Sequence, residues 1–132
     1  MKTSLPVLVV DDLRTMTFIL CRILRQIGFT DVQHVPDGLS ALERLGQKNY
    51  GLVISEWEMA PMTGPQLVRA IRQDPALSAI PVILIAAHGT REDEARRIGA
   101  DDCLSRPFTP KILSDKIEEI LSRPSDVIKA VS

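Results

Sequence analysis

Three stretches of this chain are apolar with no polar alternation: Leu5 to Val10, Tyr50 to Ser55 and Ile80 to Ala87. A half-exposed strand alternates apolar and polar residues. An uninterrupted apolar run of this length suits a strand covered on both faces, as in a parallel sheet. Between and after these runs the apolar positions fall at helical spacing. Met16, Leu20, Ile23, Leu24 and Ile27 mark a helix from Arg14 to Ile27, stopped by Gly28. Leu39, Leu42 and Leu45 mark a second helix ending near Gly46. Leu67, Val68 and Ile71 mark a third, which Pro65 opens at its first position and Asp74-Pro75 ends. A polar helix spans Arg91 to Ile98, stopped by Gly99, and a last helix spans Lys111 to Leu121. Shorter strands are expected at Asp31–Val35 and Asp101–Ser105. Strand and helix alternate throughout with short connections, which predicts an α/β fold: a doubly wound parallel sheet with helices on both faces and right-handed crossovers.

The totals exclude several classes. A chain of 132 residues with 45% hydrophobic and 25% charged residues is a single globular domain, neither disordered nor membranous. We place the domain at residues 1–124 and read 125–132 as a frayed tail. A net charge of −1 argues against DNA binding, which shows as a strongly basic balance. Cys21 and Cys103 lack CxxC spacing and read as buried free thiols of a reducing compartment. No apolar run reaches the roughly 18–20 residues of a membrane span. The first residues lack signal-peptide anatomy, so the expected location is the cytoplasm.

The strand ends deliver polar residues to one sheet edge, where open α/β sheets bind ligands. These are Asp11 and Asp12 after the first strand, Glu56 after the third and Arg106 after the fifth. Gathered carboxylates repel, so each needs a cation or a donor. Three arrangements meet that need on the pattern alone. Mg²⁺ can take Asp12 and Glu56 as oxygen ligands, Arg106 can pair with Glu56, or the acids can cap helices, Asp12 at the first.

Several motifs add to this pattern: Val9-Val10-Asp11-Asp12, Val53-Ile54-Ser55-Glu56-Trp57-Glu58-Met59, Met62-Thr63-Gly64, Gly99-Ala100-Asp101-Asp102 and Arg106-Pro107-Phe108-Thr109. Together they resemble the receiver domains of bacterial response regulators over roughly residues 5 to 122. The resemblance implies a flavodoxin-like five-stranded sheet of order 2-1-3-4-5. It also implies phosphoryl transfer from a histidine kinase to an aspartate, with Mg²⁺ held by neighbouring acids and the phosphate sensed by a lysine and a Thr or Ser. Asp11 and Asp12 match the metal-binding pair, and the Glu58 position supplies a backbone carbonyl to the metal.

The chain departs from that family at the chemistry itself. Glu56 stands at the acceptor aspartate, and its extra methylene carries the carboxylate outward by roughly 1.5 Å. In-line transfer is sensitive to misplacement of about 1 Å, which can cost about 10²-fold. Ala86 stands at the switch Thr or Ser and has no hydroxyl to read a phosphate. Arg106 replaces the lysine, exchanging a compact ammonium for a planar fork. Cys103 replaces the aromatic that reports activation in many members. Together these departures predict a stand-alone pseudo-receiver. It is not an enzyme and requires no cofactor, although Asp11, Asp12, Glu56 and the Glu58 carbonyl outline a Mg²⁺ site. Glu56 and Arg106 are expected to form a bidentate pair that holds the site in one conformation.

The resemblance implies that such a module acts by protein contact through the fourth helix, fifth strand and fifth helix. Candidate contacts there are Arg91, Arg96, Arg97, Cys103 and Ile112. The partner is a histidine kinase, a chemotaxis or motility protein or another signalling protein, and a homodimer is also open. Two alternatives remain. One is a phosphorylatable regulator using Glu56, or Ser55, whose side chain alternation turns away. The other is an effector binding an anionic nucleotide through the arginine-rich fourth helix, whose charges otherwise read as a solvated face. Trp57 suits a site rim and a core equally. His34 and His88 have no partner at metal or catalytic spacing and read as surface or turn residues.

Overall fold

The computed structural model describes residues 3–123 apart from His88 and Thr90. The expected tail and His88 therefore lie outside the described residues. Ten elements alternate: β1 (Val7–Val10), α1 (Arg14–Ile27), β2 (Val32–Val35), α2 (Gly38–Gln47), β3 (Leu52–Glu56), α3 (Gly64–Gln73), β4 (Val82–Ala86), α4 (Glu92–Ile98), β5 (Asp102–Ser105) and α5 (Pro110–Leu121). All strand pairs are parallel, in the order β2-β1-β3-β4-β5. This is the flavodoxin-like sheet that the resemblance implied.

Every residue of β1, β3 and β4 is buried, as their unbroken apolar runs require. Alternation along each strand then divides the core in two. Val7, Val9, Ile54, Ile83 and Ile85 pack with Leu20 and Leu24 of α1 and Leu113 and Ile117 of α5. Leu8, Val10, Val53, Val82 and Leu84 pack with Leu45 of α2, Leu67 and Ile71 of α3 and Ala95 of α4. Two helices therefore cover one face and three the other.

The element ends follow local chemistry. β1 and β4 begin one residue after Pro6 and Pro81, which have no N–H for a ladder. Asp37 caps α2 by accepting from Ser40 N–H at 2.7 Å, and Thr109 caps α5 from Ile112 N–H at 3.1 Å. Thr63 and Gln66 form a reciprocal capping box on α3. Gly64 therefore takes the first helical position and Pro65 the second. Asp12 does not cap α1: Leu13 is the capping residue, and Asp11 Oδ1 accepts its N–H at 2.9 Å. Gly99 ends α4 at φ +116°, a left-handed conformation that glycine adopts without a Cβ penalty.

Candidate functional site

The parallel register brings four strand ends into one row at the carboxyl edge. Asp11 N–H reaches Val35 O at 3.3 Å, Trp57 N–H reaches Ile85 O at 2.8 Å and Arg106 N–H reaches Ala86 O at 3.0 Å. Asp11, Glu56, Ala86 and Arg106 are thereby neighbours although they lie far apart in sequence. Glu56 is the last residue of β3, one position further into the strand than its apolar run suggests.

Glu56 is 5% exposed and Asp11 2% exposed, so both carboxyls leave water. Arg106 Nη2 donates to Glu56 Oε2, giving the ion pair expected from the residue types. The expected two-pronged geometry is absent, because a single guanidinium nitrogen makes the contact and Arg106 Nε is buried without a partner. Burial pushes the Glu56 carboxyl up to about 7; the Arg106 charge and hydrogen bond oppose this, while Asp11 and Asp12 reinforce it. Burial also raises Asp11, offset by the Leu13 N–H and by Arg106. Arg106 is thus the cation that both buried acids share.

The same contact bears on metal binding. Glu56 is committed to a guanidinium and Asp12 is exposed; the Glu58 side chain pairs with Arg91, a contact that does not involve its backbone carbonyl. No group of three or more His, Cys, Asp or Glu side chains converges on a metal-sized point among the described residues. Of the acids expected to hold Mg²⁺, Glu56 is thus paired with Arg106 and Asp12 is exposed, while Asp11 Oδ2 is buried without a hydrogen-bond partner.

Around the pair, Ala86 is buried and offers only a methyl. Ser55 is fully buried; its hydroxyl donates to Glu56 O at 3.0 Å and lies 4.0 Å from Met59 Sδ. Met59 packs on the α2–α4 side of the sheet, so alternation turns Ser55 away from the carboxyls. Trp57 is a core residue, 4% exposed, and not a rim residue. Ser105 Oγ donates to Gly89 O, joining β5 to the segment after β4.

The expected partner residues separate. Cys103 is 1% exposed, packed in the core with Ala86 and Ala95, and burial pushes its thiol up to about 11. It cannot contribute to a contact surface, because a strand residue flanked by α4 points inward here. Arg91 is occupied by Glu58, Glu94 and the Trp57 ring. Arg96 reaches Asp102 at 3.6 Å, while Arg97 and Ile112 are exposed. The arginines of α4 therefore form no common anion pocket. Sequence reasoning missed Asp102, fully buried and paired with Lys116 at 3.0 Å, which bolts β5 to α5. It also missed three exposed large apolar side chains: Leu13 at the start of α1, Phe18 on α1 and Leu39 on α2. A cleft of about 540 Å³, lined among others by Asp11, Thr17, Phe18, His34 and Pro36, opens beside α1. The one available signal was Phe18 at an outward helical position.

The receiver-domain profile of response regulators matches residues 7–118. The chain is similar to the chemotaxis protein CheY of Pseudomonas aeruginosa, 38% identical over 119 residues, covering 89% of this chain and 96% of that protein. It is 36% identical to the chemotaxis protein CheY-3 of Vibrio cholerae over 122 residues, covering 91% and 94%. Among solved structures, it resembles the signal receiver domain of a histidine kinase from Syntrophus aciditrophicus with a TM-score of 0.80, at 31% identity over 92% of each chain. The Vibrio cholerae chemotaxis protein CheY4 gives 0.81 at 25% identity, covering 89% of this chain and 99% of that one. CheY-like receiver domains are modules of two-component signalling and not enzymes. The chain belongs to the response regulator receiver domain family.

Proposed function

We propose that this receiver domain signals by protein contact from a fixed conformation, and that it is not switched by phosphoryl transfer. The observation that carries this reading is the Arg106–Glu56 ion pair in the acceptor position. A carboxylate pinned to a guanidinium is a poor in-line nucleophile, because transfer depends on positioning. With Ala86 at the end of β4, no side-chain hydroxyl is present there to follow a phosphate. Mg²⁺ has no role in this reading, since Arg106 supplies the positive charge.

The partner is a signalling protein of the same pathway, a kinase or a chemotaxis component, met in the cytoplasm. Its docking face is the α1 side, where Leu13 and Phe18 are exposed by 61% and 70%. α1 adds Arg14, Arg22 and Arg25 and carries no acid, which favours an acidic partner surface. On the α4–β5–α5 side, Cys103 is buried and Arg91 is occupied, which leaves Arg97 and Ile112 as its exposed candidate contacts. A second reading, a phosphorylatable regulator, draws support from the retained Asp11 and Asp12.

The test is intact-mass analysis after incubation with acetyl phosphate and Mg²⁺, on the wild type and on Glu56→Asp. The expected result is no phosphoryl adduct on the wild type. An adduct that maps to Glu56 would overturn the reading. Uptake by Glu56→Asp alone would show that the pocket survives around a lost acceptor.

A further inference from the structure

α4 is the helix that the core holds least. It has seven residues, and Ala95 is its one buried side chain. Its N-terminus is held instead from the β3–α3 turn. Arg91, the capping residue, places its guanidinium 3.8 Å from the centroid of the Trp57 ring. Its Nη1 donates to Glu58 Oε1 at 3.2 Å and its Nε to Glu94 Oε1 at 3.3 Å. The Arg91 carbonyl accepts from Ala95 N–H at 2.9 Å, so the same residue opens the helix.

The platform beneath is rigid. Trp57 N–H donates to Ile85 O at 2.8 Å and Trp57 O accepts from Gly64 N–H at 2.9 Å. A planar guanidinium over an indole face is attracted by the ring quadrupole, and stacking leaves its N–H fork free for carboxylates in the same plane. One side chain thus joins the β3–α3 turn, through Trp57 and Glu58, to α4, through Glu94 and its own backbone.

We infer that Arg91 is a latch that holds the N-terminus of α4 on the β3–α3 turn and keeps the α4 face in one position whatever the state of the Glu56 site. The inference rests on the proposed fixed-conformation reading and names what does the fixing. Ala86, the last residue of β4, has no hydroxyl with which to pull on α4. The latch takes that place with contacts that need no phosphate. Arg91 is a positioning residue: it touches neither Glu56 nor Arg106 in the contacts described.

Trp57 is the sole tryptophan, so its emission reports the latch directly. The experiment compares the full-length wild type with Arg91→Ala, Arg91→Lys and Glu58→Gln by tryptophan emission and amide hydrogen exchange. For Arg91→Ala we expect red-shifted Trp57 emission and roughly tenfold faster exchange confined to α4 and the β3–α3 turn, from loss of the stack and pair. Amides of β1 and β3 should exchange as in the wild type. Arg91→Lys and Glu58→Gln should fall between, since each keeps part of the contact. Unchanged α4 exchange in Arg91→Ala, or a uniform rise across the sheet, would overturn the latch. Phosphoryl uptake by the wild type is scored separately. It would sink the fixed-conformation reading without altering the exchange result, so the two failures are distinguishable.

Discussion

Arg106 and Glu56 lie 50 positions apart in the chain and meet at the carboxyl edge of the sheet, guanidinium against carboxylate. Asp11, with a buried oxygen that has no partner, sits within the influence of the same cation. One arginine thus balances two buried acids; its removal leaves Glu56 without a partner and Asp11 with the Leu13 N–H alone.

Replacing Arg106 by Met should cost about 3 kcal/mol at pH 8, the scale for stranding one member of a buried pair. At pH 5.5 the cost should be clearly smaller, because a Glu56 carboxyl held at about 7 is then mostly neutral. Urea unfolding at the two pH values measures both. Equal costs would mean that charge is not what Arg106 contributes.

The raised Glu56 carboxyl also fixes the sign of a pH dependence. Its folded value of about 7 lies above the ordinary 4.5, so the folded protein binds the proton more tightly than the unfolded chain. The stability from this group is fully present below about 4.5 and is lost as pH rises through 7. A difference of 7 − 4.5 = 2.5 pH units corresponds to about 3 kcal/mol as an upper figure. Asp11, shifted in the same direction, adds a loss of the same sign from its lower starting value. The thermal midpoint should therefore fall between pH 5 and 7.5 in the wild type. Glu56→Gln keeps an acceptor for Arg106 but cannot ionise, and should flatten most of that slope.

Arg72 gathers four acceptors from two segments, the α3–β4 and α4–β5 connections. Its Nε donates to Gly99 O at 2.8 Å, Nη1 to Ser78 O at 3.0 Å and Ile80 O at 2.6 Å, and Nη2 to Asp101 Oδ2 at 3.0 Å. Asp101 Oδ2 also accepts the N–H of Val82 at 2.7 Å, so the cluster aligns the start of β4. Arg72→Ala should destabilise by about 2–4 kcal/mol in chemical denaturation, by leaving partly buried acceptors unpaired. Arg72→Lys should recover little, because an ammonium cannot span the fork.

Two glycines should answer differently to alanine. A Cβ on Gly64 would meet the Glu56 carbonyl oxygen and come within 3.0 Å of Trp57 Cα, both backbone atoms. Gly64→Ala should cost about 2 kcal/mol and disturb Glu56 itself. Gly46, near the end of α2, has nothing within 4 Å of its would-be Cβ. Gly46→Ala should stabilise by about 0.5–1 kcal/mol. Thermal melts of the two variants, moving in opposite directions, check the pair.

Much of the fold was legible in the chain because its signals are local. The apolar runs around Val53 and Ile83 declare doubly covered strands, and Gly28 and Gly99 stop helices where periodicity ends. The pairing of Glu56 with Arg106 was also legible, since both stand at strand ends that a parallel sheet must align. Its one-pronged geometry was not, because that depends on side-chain reach and not on position. The burial of Cys103 and Asp102 was not legible either: β5 is covered on both faces, so Asp102, Cys103 and Leu104 are all buried although the strand is half polar in sequence. The Trp57–Arg91 stack joins residues 34 positions apart through a loop whose course the sequence does not specify.

Ala86 has a consequence for anyone who would repair this domain. Restoring an aspartate at 56 addresses only the acceptor. A phosphoryl group on such a protein would sit beside a methyl, with no hydroxyl from β4 to register its arrival and with α4 already held by Arg91. On the fixed-conformation reading proposed above, uptake of a phosphoryl group by the repaired protein would leave α4 where it is. On that reading, acceptor and sensor have to be regained together for a phosphoryl group at this sheet edge to be registered.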